Sequence, residues 1–303
     1  MAASANEGFY GLPGAPLLRR LRNYALLTRL NRPIGIGLLL WPTLWALWIA
    51  ARILPDAPRM PATKLLLIFI AGTVVMRSAG CVINDFADRD IDPHVRRTKG
   101  RPLAARQLSP YDALGLFGVL VLIALWLVTR LDTHTVYFSF IGAALTVSYP
   151  FTKRFFPLPQ FYLGAAFGWA VPMAFVATLG DVPRTGWLMF IVTLLWAGIY
   201  DTQYAMVDRD DDLKLGVQST AIAFGDMDKL LIGVMQLMVL TGLLLIGRSL
   251  ALTWPFHLSL GIAALLFAWQ QWLIRKRERD GCFRAFLNNN WVGLVILAGG
   301  VAA

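Results

Sequence analysis

Long apolar stretches separated by short polar segments run the length of this 303-residue chain. Nine of them, at 34–54, 63–83, 109–130, 133–150, 159–179, 186–206, 229–248, 252–273 and 287–303, approach or exceed the roughly 18 residues that mark a membrane-spanning helix. The stretches are continuous rather than alternating, which argues against a β-barrel of short two-faced strands. Helices follow, because only they satisfy every backbone group within one segment in lipid. The predicted fold is all-α, a polytopic nine-helix membrane bundle forming a single domain over 1–303, with 1–33 as an N-terminal segment. Arg and Leu within 16–30 predict a short amphipathic helix lying on the membrane there.

Composition agrees with a membrane protein: 57% of residues are hydrophobic and 15% charged, against about 25% charged in soluble domains. The net charge of +10 invites a nucleic-acid reading, but the distribution is that of a membrane topology. With nine helices, 21 of the 28 Lys and Arg fall on the side of the N-terminus and 6 on the other, and Arg77 lies inside the second span. By the positive-inside rule the rich side is cytoplasmic. No cleavable signal peptide is visible in the first 33 residues. Cys81 and Cys282 suggest neither a disulfide nor a thiolate metal site. His94, His134 and His257 are scattered.

Two acid-rich runs stand out: Asn84-Asp85-Phe86-Ala87-Asp88-Arg89-Asp90-Ile91-Asp92 at the end of the second span, and Asp208-Arg209-Asp210-Asp211-Asp212 after the sixth. Their equivalent positions predict two four-helix pseudo-repeats plus a closing helix. A solvated acidic loop explains either run alone, whereas the matched pair points to a shared load of divalent metal on a polyanion. On a helix Arg77, Cys81, Asn84, Asp88 and Asp92 share one face, as do Asp201, Tyr204, Asp208 and Asp212. Such ladders of hard oxygen ligands suit Mg²⁺ that keeps water and substrate phosphate in its shell. Asp201 sits about 10 Å deeper than Asp208, a costly place for a carboxylate unless it is paired or faces a wet cavity; Arg77 poses the same problem, and the two could form a structural ion pair. Lys153, Arg154 and Lys214 are candidate anion contacts, with topogenic positive charge as the plainer explanation. No Gly-rich phosphate loop or Ser/His/Asp set is present.

At these residues the chain resembles the UbiA superfamily of intramembrane aromatic prenyltransferases. Asn84, Asp85, Asp88 and Asp92 match its NDxxDxxxD motif, Asp208 and Asp212 its DxxxD motif, and Tyr149 and Lys153 its YxxxK element. Segments such as Arg32-Pro33-Ile34-Gly35 and Tyr200-Asp201-Thr202-Gln203-Tyr204 extend the likeness over nearly the whole chain. The resemblance implies a central cavity open sideways to lipid, Mg²⁺ as cofactor, and a polyprenyl diphosphate donor. It further implies 4-hydroxybenzoate as acceptor, as in ubiquinone biosynthesis, and a bacterial inner membrane with the site facing the cytoplasm. The metal ligands would be Asn84, Asp85, Asp88, Asp92, Asp208 and Asp212. The catalytic set would be Asp88, Asp208, Asp201, Lys153 and Tyr149, with Arg154, Lys153, Arg77, Arg32 and Lys214 contacting substrate. Neither nucleic acid nor an obligate protein partner is expected. Competing readings are a sister prenyltransferase with another acceptor, a phospholipid head-group transferase and a membrane transporter; the transporter would carry its acids near the midplane rather than at helix ends.

Overall fold

The computed structural model describes residues 15–54, 59–94, 98–152, 156, 158–215 and 219–303. The described residues form twelve α-helices and two short 3-10 helices, Asp92–His94 and Gly225–Met227, with no strand among them. The α-helices are α1 (Ala15–Leu27), α2 (Ile34–Ile53), α3 (Thr63–Ala87), α4 (Pro110–Val128), α5 (Thr133–Thr152), α6 (Pro159–Gly168), α7 (Ala170–Leu179), α8 (Arg184–Leu215), α9 (Thr220–Ala223), α10 (Asp228–Ser249), α11 (Trp254–Ile274) and α12 (Arg279–Ala302). Eight spans among the described residues are long and apolar enough to cross a membrane, with α6 and α7 counted as one. The ninth expected span, 133–150, is helical as α5 but is not among the eight; Thr, Ser and Tyr interrupt its apolar run, and Pro150 lies inside it.

Three boundaries depart from the hydropathy pattern. The helix expected over 186–206 continues to Leu215, so the second acidic run is helical rather than a loop. Its 32 residues extend about 48 Å, more than the ~30 Å hydrocarbon layer, so its acidic end projects beyond the apolar core. The last helix starts at Arg279 instead of 287, which places Cys282 inside it, buried, rather than in a loop. The span 159–179 breaks at Trp169. Pro172 has no N–H to offer the carbonyl of Gly168 and its ring crowds that turn.

The described residues fall into two compact units, 1–33 with 75–123, and 34–74 with 124–303. The division runs through α3 and α4, and so differs from the four-helix halves suggested by the paired acidic runs. In the first unit Leu27, Val82, Leu103, Leu108 and Ala113 form a small core flanked by Tyr24, Phe86 and Leu116. α4 begins with a reciprocal cap: Ser109 N donates to Asp112 Oδ2 at 3.0 Å and Asp112 N to Ser109 Oγ at 3.1 Å. Asp112 also accepts from Tyr24 Oη at 3.2 Å and pairs with Arg20, which ties α1 to α4.

In the second unit α8 packs against α6, α10 and α12, and α12 against α2 and α11. Trp196, Phe175, Leu47, Met189 and Leu243 are among its fully buried side chains. A chain of buried amides crosses it. Asn289 Nδ2 donates to Gln203 Oε1 at 2.7 Å, Gln203 Nε2 and Gln236 Nε2 both donate to Gln270 Oε1 at 3.0 Å, and Gln270 Nε2 donates to Asn288 Oδ1 at 3.1 Å. In lipid such bonds replace the hydrophobic force that pairs helices in water.

Candidate active site

In the first unit the acidic motif straddles the end of α3. Asn84 is in its last turn, and Asp88 and Asp92 follow on backbone bonds that prolong the spiral: Asp88 N to Asn84 O at 3.0 Å and Asp92 N to Asp88 O at 2.8 Å. Asn84 Nδ2 donates to Asp88 Oδ2 at 3.2 Å, and the side-chain carbonyl of Asn84 is a hard oxygen donor one turn from the Asp88 carboxylate. Asp85, expected among the metal ligands, is 1% exposed and lies against two guanidinium groups: Arg29 Nη2 at 2.6 Å and Arg101 Nη1 at 3.0 Å. The same Arg101 nitrogen is 2.8 Å from Asp92 Oδ2. Burial pushes the Asp92 carboxyl above its ordinary pKa; Arg101 pulls against it, and the nearby Asp85 and Asp88 carboxylates add to the rise. A divalent cation held there would relieve that crowding of negative charge.

In the second unit the unbroken α8 carries Asp201, Tyr204, Asp208 and Asp212 on one face, each half-buried. The other charges of the run turn to different neighbours. Arg279 of α12 lies 3.3 Å from Asp210 and 3.5 Å from Asp211. Arg209 Nη1 lies 3.8 Å from Asp228 Oδ2, and Asp228, fully buried, takes a two-pronged bond from Arg277 at 2.8 and 2.9 Å. Beside the Asp208 face the rings of Tyr204 and Phe286 pack at 4.8 Å, and Tyr200 stands edge-on to Trp196 at 5.5 Å.

Of the remaining expected residues, Arg77 is half-buried in α3, Tyr149 half-buried near the end of α5, and Arg32 and Lys214 exposed. Lys153 and Arg154 lie outside the described residues. Sequence reasoning did not single out Arg29, Arg101, Asp228 or Arg279 as ion-pair partners of the acidic runs; only contacts between distant segments identify them.

Among the described residues no three Asp, Glu, His or Cys side chains gather into a closed metal cage. The donors fit Mg²⁺ nonetheless. Asn84 with Asp88, and Asp208 with Asp212, are pairs of hard oxygen donors one turn apart, and Mg²⁺ completes an incomplete protein shell with waters and phosphate oxygens.

Residues 39–293 match the UbiA prenyltransferase family. The chain is 55% identical over 280 residues to the 4-hydroxybenzoate octaprenyltransferase of Alkalilimnicola ehrlichii, covering 92% of this chain and 94% of that protein. It is 54% identical to the protein of that name from Enterobacter sp., covering 92% and 95%. Among solved structures, the apo structure of a UbiA homolog from Aeropyrum pernix K1 superposes with a TM-score of 0.76 at 24% identity, covering 88% of this chain and 97% of that one. A UbiA homolog from Archaeoglobus fulgidus bound to GPP and Mg²⁺ gives 0.66 at 15% identity, covering 92% and 98%; at these identities the likeness is one of fold. The chain is a multi-pass membrane protein and belongs to the UbiA prenyltransferase family.

Proposed function

We propose that this protein is a transferase that moves a polyprenyl group from polyprenyl diphosphate to the ring carbon ortho to the hydroxyl of 4-hydroxybenzoate, in ubiquinone biosynthesis. The observation that carries the reading is 55% identity, over 92% of the chain, to a 4-hydroxybenzoate octaprenyltransferase. The whole of 1–303 acts as one domain in a bacterial inner membrane, with the N-terminus and the acidic helix ends on the cytoplasmic side. The excess of Lys and Arg there supports this orientation.

Asn84, Asp88, Asp92, Asp208 and Asp212 would hold Mg²⁺. Bound there, Mg²⁺ would offset the charge that builds on the departing diphosphate. Lys153, Arg154 and Lys214 add cationic contacts to diphosphate or to the benzoate carboxylate, with Arg77 and Arg32 as further carboxylate partners. Tyr149 orients Lys153 or the phenol, and Asp201 polarises the phenol. As the C–O bond to diphosphate breaks, an allylic cation forms; the ring carbon attacks it, and loss of the ring proton restores aromaticity. The apolar helices exclude the water that would otherwise capture the cation. Asp88→Asn and Asp208→Asn are expected to abolish turnover while the protein still inserts and melts as the parent does. Full activity in either variant overturns the assignment.

A further inference from the structure

Four acidic side chains stand between Asp85 and Asp92, and the fold does not treat them alike. Asp88 is engaged by the Asn84 amide, its neighbour one turn earlier. Asp85, 1% exposed, meets Arg29 and Arg101. Arg101 Nη1 contacts Asp85 Oδ1 and Asp92 Oδ2 at once, at 3.0 and 2.8 Å, which bridges the two turns between them.

The segment that brings Arg101 back is fastened to the same motif. Thr98, 3% exposed, donates from Oγ1 to the Asp92 carbonyl at 2.9 Å, and Arg101 N donates to Thr98 O at 2.9 Å. Arg29 sits at φ 55°, a left-handed conformation that is strained for a residue with a side chain, at the point where it reaches Asp85. Both guanidinium groups donate to the same atom, Asp85 Oδ1, which matches the charge of the carboxylate and occupies that oxygen. A metal could take that oxygen only by displacing the half-buried Arg29 and one arm of the Arg101 bridge.

We propose that Arg101 is a positioning residue for prenyl transfer, with Asp85 as its anchor and not a metal ligand. By spanning Asp85 and Asp92, Arg101 sets where the Asp92 carboxylate presents itself to metal and diphosphate. The proposal rests on the metal role given above to Asn84, Asp88 and Asp92. The NDxxDxxxD residues then play two different roles, since three of them meet the metal and one holds the arginine that aims the last of the three.

The test is a double-variant cycle on the full chain in liposomes, reading the Mg²⁺ concentration for half-maximal activity, the kcat and the melting temperature. Arg101→Gln is expected to raise the Mg²⁺ midpoint about tenfold, the scale on which partners of metal ligands act, with kcat largely recovered at high Mg²⁺. Asp85→Asn should give a similar shift, and the pair together no more than either alone, because both act through one bridge. Arg101→Lys should fall between, since an ammonium group lacks the planar fork; it decides the matter if Arg101→Gln does not fold. Shifts that multiply in the double variant would make Asp85 a ligand in its own right and overturn the proposal. So would a lowered melting temperature with an unchanged Mg²⁺ midpoint, the mark of a merely structural pair. Activity surviving in Asp88→Asn would instead defeat the metal-site reading beneath it.

Discussion

Replacing Gln270 by Leu tests whether the buried amides hold the second unit together. Gln270 is fully buried on α11. Its Oε1 accepts from Gln203 of α8 and Gln236 of α10, each at 3.0 Å, and its Nε2 donates to Asn288 of α12 at 3.1 Å. Leucine has similar volume, so packing changes little, but two donors and one acceptor lose their partner. Interhelical bonds in a bilayer average about 0.6 kcal/mol and reach about 1.7; three of them place the cost at roughly 2–5 kcal/mol. The assay is reversible denaturant unfolding in mixed micelles, followed by tryptophan fluorescence. Trp196 is a natural reporter, because its Nε1 donates to Asn289 at 3.0 Å and Asn289 in turn donates to Gln203. Adding Gln236→Leu to Gln270→Leu should cost less than Gln236→Leu alone, because the shared bond is already gone. A loss below about 0.5 kcal/mol for Gln270→Leu, or strict additivity of the pair, would refute the reasoning.

Two further outcomes follow from local geometry. At Gly293 α12 meets α2 so closely that a Cβ would run into the rings of Trp41 and Trp196, and Trp45 Nε1 donates to the Gly293 carbonyl at 3.0 Å. Gly293→Val should therefore cost about 1–3 kcal/mol by overpacking, and an unchanged melting temperature would contradict the close approach. Asp132 caps α5, accepting from Thr135 N at 3.0 Å and Thr135 Oγ1 at 2.5 Å. Its partial burial works against the carboxylate, but these bonds outweigh it and hold the pKa below the usual value. A lowered folded pKa means the contribution is complete above the unfolded value of about 3.9 and is lost as pH falls through the folded one. Asp132→Ala should cost about 1 kcal/mol at neutral pH, and the difference from the parent should shrink as pH falls below the unfolded value of about 3.9; a difference that stays constant through that fall would count against the cap.

Hydropathy located most of the helices because lipid demands long apolar runs: the stretch 34–54 became Ile34–Ile53 and 109–130 became Pro110–Val128. It failed where a helix leaves the apolar layer. Asp208 to Lys214 is polar, yet the backbone of α8 stays hydrogen-bonded through it, and α12 begins among Arg279, Asp280 and Arg284. Hydropathy reports which solvent a segment faces and not whether it coils. Within the site, the two acidic runs were legible from spacing alone. The division of labour inside them was not, because Arg29 and Arg101 reach Asp85 from segments 56 and 16 residues away. The amide chain did leave a signal: Gln236, Gln270, Gln271 and the run Asn288-Asn289-Asn290 interrupt apolar helices, and polar groups there are costly unless they bond to one another.

The most direct test of the central claim is turnover by the purified chain in liposomes. Octaprenyl diphosphate and 4-hydroxybenzoate are supplied with and without Mg²⁺, and the product is identified by mass spectrometry. The expected result is 3-octaprenyl-4-hydroxybenzoate and diphosphate in equal amounts, formed only when Mg²⁺ is present. Prenylation of a different aromatic acceptor while 4-hydroxybenzoate stays untouched, or product formation that persists after chelation of all divalent metal, would contradict it.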